Sequence, residues 1–172
     1  MNKSTQSSLI PRKLKNEITI YTKQFIACCL LILCISANSN GQATDRELVY
    51  AAIEDYVDAL YLVQPDRIKK SVHPNLTKKG FWRQKGKTTY EPETTMTFDQ
   101  LVDLASKWNS KGTVTKDAVK VIEIFDVQNQ TAIGKLTAVW GTDYFELARY
   151  DGKWMIINIL WQAHPPKKTE SN

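Results

Sequence analysis

The chain first shows a helical pattern, in which apolar side chains recur at steps of three and four residues. Its apolar side comprises Val49, Ile53, Tyr56, Leu60 and Val63. Acidic residues occupy the other side, so the pattern predicts an amphipathic helix from Asp45 to Val63. A shorter helix is predicted to begin at Pro65, whose missing N–H is not needed in a first turn. It ends at His73, because a residue before proline avoids helical geometry.

A weaker strand pair and a third helix follow. Residues 75–82 and 87–95 predict two strands around Gly86. Thr97 and Gln100 then match a capping box, in which the threonine caps the helix and the glutamine side chain reaches back. The apolar stripe of the helix comprises Phe98, Leu101, Val102, Ala105 and Trp108. The helix is predicted to end within residues 109–112.

The last third of the chain alternates between apolar and polar residues. It predicts four antiparallel strands at about 118–128, 131–140, 143–150 and 153–162. The last two meet at Asp151-Gly152, one of the strongest short-range signals for a hairpin turn. Helices that are segregated from an antiparallel sheet predict an α+β fold, with the sheet curled around the helices.

Two-residue turns fix the register, and the register assigns each side chain to a face. With turns at 129–130, 141–142 and 151–152, Trp154 and Ile156 mark the inner face of the sheet. Small residues on this face leave volume, either for helix side chains or for a pocket. The predicted inner set includes Glu123, Phe125, Gly134, Ala138, Asp143, Phe145, Leu147, Asn158 and Leu160.

The opposite face of the last strand is also apolar. It is predicted to carry Met155, Ile157, Ile159 and Trp161. Such a set is too apolar to face water, which predicts that it is buried against a second subunit of a homodimer. A single β-bulge would shift part of this assignment, and curved sheets use bulges.

Residues 25–37 form one apolar run, preceded by basic residues and followed by small and polar ones up to Ala43. This order is typical of a secretory signal peptide. Its 13 residues rise about 20 Å as a helix, short of the roughly 30 Å of a bilayer core. We therefore expect cleavage after Ala43 and an exported domain, periplasmic or secreted, with no stable membrane insertion. An uncleaved anchor and a lipoprotein attached through Cys28 or Cys34 are the alternatives.

The leader changes the interpretation of composition. All three cysteines lie in it, so the expected mature domain has no disulfide and no thiolate site. Five of the 23 basic residues and one of the 18 acidic residues also lie there, which leaves a net charge of +1. This balance gives no electrostatic footprint for nucleic acid. The expected organisation is a signal peptide (1–43), one domain (44–164) and a disordered tail (165–172). A local basic segment is interpreted as a solvated hairpin, with an anionic ligand or membrane surface as the alternative; it contains Lys78, Lys79, Arg83, Lys85 and Lys87.

Polar residues of the predicted inner face are candidates for catalysis or ligand binding. A buried, unpaired carboxylate has a raised pKa, which suits a general acid or base, so Glu123 and Asp143 are candidate catalytic residues. A solvated or ion-paired Glu123 and a turn position for Asp143 are the structural alternatives. The candidate ligand-binding set is Tyr56, His73, Trp108, Glu123, Asp143 and Asn158. Two histidines without a carboxylate cluster predict no metal site.

Residues 48–162 resemble the nuclear transport factor 2-like superfamily, and most closely its branch described as "putative lumazine-binding", near the SnoaL-like cyclases. The segments that carry the resemblance are 56–61, 72–76, 98–102 and 142–162. It implies a cone-shaped, cystatin-like fold with three N-terminal helices packed on a curved, mostly antiparallel sheet. In this family the position of Glu123 is usually apolar, so the chain departs from the pattern there.

The resemblance implies function less specifically than fold, because this fold hosts isomerases, hydrolases, cyclases and binding modules. The first hypothesis is an exported domain that binds a small, mostly apolar molecule in its cone, without a cofactor. The second is a proton-transfer enzyme of the SnoaL-like type that uses Glu123 or Asp143 as base. The third is an interaction module whose cone is filled and whose sheet or basic segment binds a partner protein.

Overall fold

The computed structural model describes residues 43–166, and these contain three helices and six strands. The helices are α1 (Asp45–Tyr61), α2 (Pro65–Ser71) and α3 (Phe98–Lys107). The strands are β1 (Val72–Phe81), β2 (Thr94–Met96), β3 (Lys120–Val127), β4 (Thr131–Ala138), β5 (Gly141–Tyr150) and β6 (Lys153–Ala163). The predicted signal peptide, apart from Ala43, and the predicted tail beyond Pro166 lie outside the described residues.

The strands form one curved sheet in the order β2-β1-β6-β5-β4-β3. β1 and β6 are parallel, and the other neighbours are antiparallel. The α+β prediction is confirmed. All three helices precede the last four strands, as predicted, and α3 follows β1 and β2 in the chain. The predicted strand at 87–95 is shorter, because β2 has only three residues.

Local signals account for the ends of the helices. The predicted capping box of α3 is present, with the Thr97 backbone N–H donating to Gln100 Oε1 at 2.8 Å. Helix α1 begins with a second capping box, formed by Thr44 and Glu47. It ends two residues earlier than predicted, because Val63 has a φ of 55° and cannot continue a right-handed helix.

The core lies between the helices and one face of the sheet. The predicted apolar side of α1 is buried there through Val49, Ile53, Tyr56 and Leu60. Helix α3 contributes Leu101 and Ala105. The sheet contributes Leu136, Phe145, Leu147, Ile156 and Ile159, which all have less than 3% of their surface exposed.

Two hairpin turns test the predicted register. The Asp151-Gly152 turn is confirmed, and both residues have positive φ, as a type I′ turn requires. The preceding turn is at 139–140 rather than 141–142, so that Ala138 pairs with Gly141. The predicted and observed pairings differ by an even number of residues. Each side chain of β4 and β5 therefore lies on the face that was predicted for it.

Bulges overturn other parts of the predicted register. In β6 the pairs Arg149–Trp154 and Leu147–Ile156 are followed by Glu146–Asn158, which leaves Ile157 as an extra residue. Beyond this bulge every side chain of β6 changes face. The predictions that Leu160 faces the core and Trp161 faces outward are wrong: Leu160 is 48% exposed, whereas Trp161 packs against the core.

A second bulge lies in β3, where Ile124 pairs with Gly134 but Asp126 pairs with Ile133. Phe125 is the extra residue and is 52% exposed. Ile122 and Ile124 pack against the core instead of Glu123 and Phe125. The placement of Glu123 on the inner face is therefore wrong.

Candidate functional site

Three buried polar side chains meet inside the fold. Tyr56 comes from α1, Lys78 from β1 and Asp143 from β5, and they are 1%, 5% and 0% exposed. Lys78 Nζ donates to Tyr56 Oη at 2.7 Å and to Asp143 Oδ1 at 3.3 Å. Tyr56 Oη donates to the same Asp143 oxygen at 3.2 Å. We call this group the buried triad.

The sheet order explains why two distant strands supply the triad. β6 lies between β1 and β5, and Trp161 pairs with Asp143 on one side and with Gly80 on the other. Lys78 is two residues before Gly80, so its side chain points to the same inner face. Tyr56 lies on the side of α1 that packs on the sheet, and its hydroxyl group contacts both Lys78 and Asp143.

Both oxygens of Asp143 have donors. Oδ1 accepts from Lys78 and Tyr56, and Oδ2 accepts from the Trp140 indole N–H at 2.6 Å. Asp143 is thus a buried carboxyl group with donors to both of its oxygens, rather than the turn residue that was its structural alternative.

Burial shifts the ionisation of its two partners. Loss of water around Lys78 lowers its pKa from 10.5, and the neighbouring Asp143 charge opposes that effect. Loss of water also raises the pKa of Tyr56 well above 10.0, and the charge and hydrogen bond of Asp143 act in the same direction. The tyrosine is therefore neutral at physiological pH. Lys78 and Asp143 are the two members of the triad that form an ion pair.

The triad borders a cavity of about 110 Å³ between the sheet, α1 and α3. The lining comprises Tyr56, Leu60, Lys78, Met96, Leu104, Trp108, Trp140 and Trp161. Four of these side chains are aromatic, and Lys78 supplies the only charge in the lining. Lys78 Nζ lies 5.3 Å from the Tyr56 ring centroid and 5.5 Å from the Trp161 centroid. These are cation–π distances, and they hold the ammonium against aromatic walls.

Aromatic contacts support the walls of the cavity. Trp108 stacks on Tyr61 with ring centroids 5.9 Å apart, and Trp140 meets Trp108 edge to face at 5.2 Å. Trp140 also meets Tyr56 edge to face at 6.5 Å. Met96, Leu104 and Trp108 are only partly buried, so the cavity reaches the surface on the side of β2 and α3.

The residues predicted as a site fall into two groups. Tyr56, Trp108 and Asp143 lie in or directly beside the cavity. His73 lies elsewhere, stacked on Tyr150 with ring centroids 4.6 Å apart, and its Nδ1 accepts from the backbone N–H of Asn75.

Glu123 and Asn158 are on the outer face of the sheet. In each case a β-bulge lies between the residue and the hairpin turn from which its face was predicted. Glu123 binds Lys135 at 2.6 Å, and its side chain is 46% exposed. Asn158 Nδ2 donates to Glu146 Oε2 at 3.2 Å. The geometric premise for placing these two residues in the cone is therefore wrong.

Lys78 is the site residue for which the sequence gives the weakest signal. It stands among four other basic residues, a composition typical of a solvated hairpin. The available signal is the alternation of β1, in which Leu76, Lys78 and Gly80 have the same parity and are all buried. That signal is short, since both flanking residues of Lys78 are polar.

Within residues 43–166, no three His, Cys, Asp or Glu side chains are grouped closely enough to hold a metal ion. None of the helices in this range has the length and apolar content needed to cross a membrane.

Comparisons with known proteins agree on the fold. A search of curated proteins found no match. Among solved structures, an NTF2-like protein of unknown function from Shewanella baltica OS155 is 17% identical, with a TM-score of 0.52 and coverage of 73% of this chain and 100% of that chain. An NTF2-like protein of unknown function from Silicibacter pomeroyi DSS-3 is 14% identical, with a TM-score of 0.50 and coverage of 71% and 100%. At these identities the likeness shows the fold alone.

A structure described as a putative scytalone dehydratase, from Novosphingobium aromaticivorans DSM 12444, is 13% identical, with a TM-score of 0.50 and coverage of 73% of this chain and 95% of that chain. The family model described as "Putative lumazine-binding" matches residues 44–162, which is almost the whole described range. The chain therefore belongs to the "Putative lumazine-binding" family, and it has the fold of the NTF2-like structures.

Proposed function

We propose that this domain is exported and binds a small, mostly apolar molecule with one hydrogen-bond acceptor in the cavity beside Lys78. The observation that carries the proposal is a buried ammonium on the wall of an aromatic cavity. An apolar lining with one or two polar groups is the usual composition of a ligand site. Export rests on the leader pattern of residues 1–43.

The hydrogen bonds of Lys78 indicate how a ligand would be oriented. An ammonium has three N–H groups. The described residues supply two acceptors, Tyr56 and Asp143. Lys78 also lines the cavity, so a carbonyl or ring nitrogen of a bound molecule can accept from the third N–H.

Charge balance favours a neutral ligand. Lys78 and Asp143 already neutralise each other, and a further buried charge would have no partner among the lining residues. The aromatic walls favour a flat ring, which can stack on or meet their edges. We therefore propose a neutral, planar molecule that carries a carbonyl group or ring nitrogen.

The volume of the cavity limits the size of the ligand. Its 110 Å³ is below the 300–1,000 Å³ of typical ligand pockets and near the roughly 150 Å³ that holds benzene. A single ring is therefore at the limit of what the cavity holds, and a larger molecule requires the partly exposed Met96 and Trp108 to move outward.

Ligand titration by tryptophan fluorescence tests the proposal directly, because three of the five tryptophans line the cavity. We expect monocyclic aromatic ketones and lactams to quench the fluorescence and to raise the melting temperature. Lys78→Met should weaken binding of the carbonyl compounds about tenfold or more, since it removes a charged hydrogen bond worth about 1.5–3 kcal/mol. Lys79→Met, next in the chain but on the outer face, is the matched control and should bind like the unmodified protein.

Failure of every compound in a broad metabolite set to change either signal would contradict the proposal. Equal affinity of Lys78→Met and Lys79→Met for the carbonyl compounds would place the ligand elsewhere.

The geometry favours binding over proton transfer by the predicted bases. Glu123 lies outside the cavity, and both oxygens of Asp143 are already occupied by donors. Asp143 is also not part of the cavity lining. A base must reach the proton that it abstracts, directly or through one water. Glu123 does not reach the cavity, and Asp143 is within reach only of groups bonded to Lys78 Nζ, 3.3 Å away, rather than of a free ligand.

A further inference from the structure

We propose that Lys78 is a carbonyl-reactive amine, which forms a reversible Schiff base with a small aldehyde or ketone in the aromatic cavity. This inference rests on the proposed function, because it uses the same cavity and orients the same carbonyl group. It assigns a covalent chemistry to the site and narrows its ligand class to aldehydes and ketones.

The position of Lys78 suits a nucleophile. Lys78 lines the cavity, and its Nζ lies against the rings of Tyr56 and Trp161, two further lining residues, so a carbonyl carbon that enters can approach it. The side chain is only 5% exposed to solvent. Its backbone is fixed in β1, and its amino group is hydrogen bonded to Tyr56 and Asp143. A lysine in an apolar pocket attacks carbonyl groups more readily than a solvated one, because a larger share of it is neutral.

The surrounding groups determine how that amine can titrate. Facing Lys78 are Tyr56 from α1, Met96 from β2, Trp108 after α3, Asp143 from β5 and Trp161 from β6. Only Tyr56 and Asp143 among them are titratable. Burial lowers the pKa of Lys78, and the Asp143 charge limits that effect.

Asp143 can carry the proton through the reaction. The ammonium of Lys78 passes one proton to Asp143 Oδ1, which lies 3.3 Å away. The neutral nitrogen attacks the carbonyl carbon, the C–N bond forms, and the π electrons move to oxygen. Proton transfer from nitrogen to oxygen then gives a carbinolamine. Asp143 returns its proton to the hydroxyl, which leaves as water, and the nitrogen becomes an iminium ion.

The buried charges remain balanced at the end of this sequence. One ammonium and one carbonyl group give one iminium and one water, without oxidation or reduction. The iminium is a cation in the place of the ammonium, so Asp143 keeps a partner of opposite charge. The pair therefore does not have to be broken for the adduct to form, which avoids the cost of an unpaired buried charge.

Reductive trapping tests the inference. The purified protein is exposed briefly to propanal or benzaldehyde with cyanoborohydride near neutral pH, and the alkylated lysines are located by peptide mass mapping. Lys79 is an internal control, because it is the next residue and its side chain is 48% exposed. We expect Lys78 to be alkylated several-fold faster than Lys79, and its rate to level off at a lower pH. Lys78→Arg keeps the charge beside Asp143 and should lose the adduct at this position.

The outcomes separate this inference from the proposed function. Alkylation of Lys79 and other exposed lysines but not of Lys78, while the same aldehyde quenches tryptophan fluorescence, would overturn the Schiff base and leave non-covalent binding in place. No adduct at Lys78 together with no binding of any probe would overturn both. Mapping on the unmodified protein gives this answer even if the arginine variant does not fold.

Discussion

At the residue scale, the stability of this domain depends on the charge balance of Lys78 and Asp143. Each of these groups would be costly to bury alone; in the fold Lys78 donates to Tyr56 and Asp143, and both oxygens of Asp143 accept hydrogen bonds. Such a group adds little stability over an apolar replacement, but removal of one member leaves an uncompensated charge in the core.

We expect Asp143→Asn to lower the free energy of unfolding by about 3–5 kcal/mol at neutral pH, the usual cost of breaking a buried ion pair. Urea unfolding measures this directly. Asp126→Asn, on the exposed end of β3, is the control and should change stability by less than about 0.5 kcal/mol. The double variant Lys78→Met/Asp143→Asn should recover part of the loss. Equal midpoints for the two asparagine variants would contradict this account.

Tyr56 gives a second expectation, on the dependence of stability on pH. Its pKa is raised well above 10.0 in the folded protein, so the unfolded chain loses the proton first. The stability that comes from the neutral hydroxyl is therefore fully present below about pH 10 and is lost as the pH rises towards the folded-state pKa. Tyr56→Phe should show a shallower loss of stability than the unmodified protein between about pH 9 and 11, measured by urea unfolding.

Lys78 acts with the opposite sign, because its lowered pKa lets the folded protein release a proton before the unfolded chain does. Lys78 contributes equally to the unmodified protein and to Tyr56→Phe, so the difference between their pH dependences of stability isolates the contribution of Tyr56. A slope that does not change on substitution would mean that Tyr56 is ionised or exposed in the folded state.

The same residues show what sequence can and cannot give at this scale. Tyr56 is predictable, since it lies on the apolar side of a long amphipathic helix. Lys78 is not, because its burial depends on Tyr56 and Asp143, which are 22 and 65 residues away in the chain. A lysine among lysines is solvated unless a distant carboxylate is brought to it.

At the scale of elements, helix bounds and hairpin turns are largely predictable, and the register is not. The capping box of α3 and the Asp151-Gly152 turn are local signals, and both appear in the fold as predicted. The bulges at Phe125 and Ile157 have no such signal, because each is an apolar residue in a strand without glycine or proline. Because of these bulges, Glu123 and Asn158 lie on the outer face and Trp161 lines the cavity, the reverse of the predicted arrangement.

The parallel pair of β1 and β6 depends on Gly80. A Cβ at this position would overlap both the ring and the backbone carbonyl oxygen of Trp161. We expect Gly80→Ala to lower the free energy of unfolding by about 3 kcal/mol, the upper range for overpacking, since the two strands must separate. Gly86→Ala is the comparison, because no atom lies within 4 Å of its Cβ and only its positive φ opposes the change. It should cost about 1 kcal/mol; a larger loss for Gly86→Ala than for Gly80→Ala would refute the packing argument.

At the scale of the whole molecule, the outer face of the sheet leaves a large apolar area exposed. Phe125, Ile133, Tyr144 and Leu160 come from four successive strands and are 44–52% exposed. They border a depression of about 260 Å³ on that face. Patches of this kind usually mark an interaction site, and we propose that a second copy of the chain covers it. The homodimer prediction thus stays a proposal, with a different set of contact residues.

We expect Leu160→Lys to shift the protein from dimer to monomer in sedimentation velocity at micromolar concentration, because it places a charge at the centre of the patch. Leu62→Lys is the matched control, since Leu62 is 37% exposed at the end of α1 and away from the sheet face. A monomer before any substitution would exclude this interface, and equal dissociation by both variants would show that the effect is not specific to the face.

The extra residue in β6 has a further consequence, for how sites of this kind diverge. Because Asn158 already pairs with Glu146, next to the Leu147–Ile156 pair, removal of Ile157 would turn these pairs into a regular ladder and leave Trp161 inward and Leu160 outward. A strand that kept every residue but lost the bulge would instead turn Trp161 outward and Leu160 inward. A relative that lacks one residue at this point can therefore present the same walls to a ligand, so alignments of this strand should be judged by the position of their gaps before their identities.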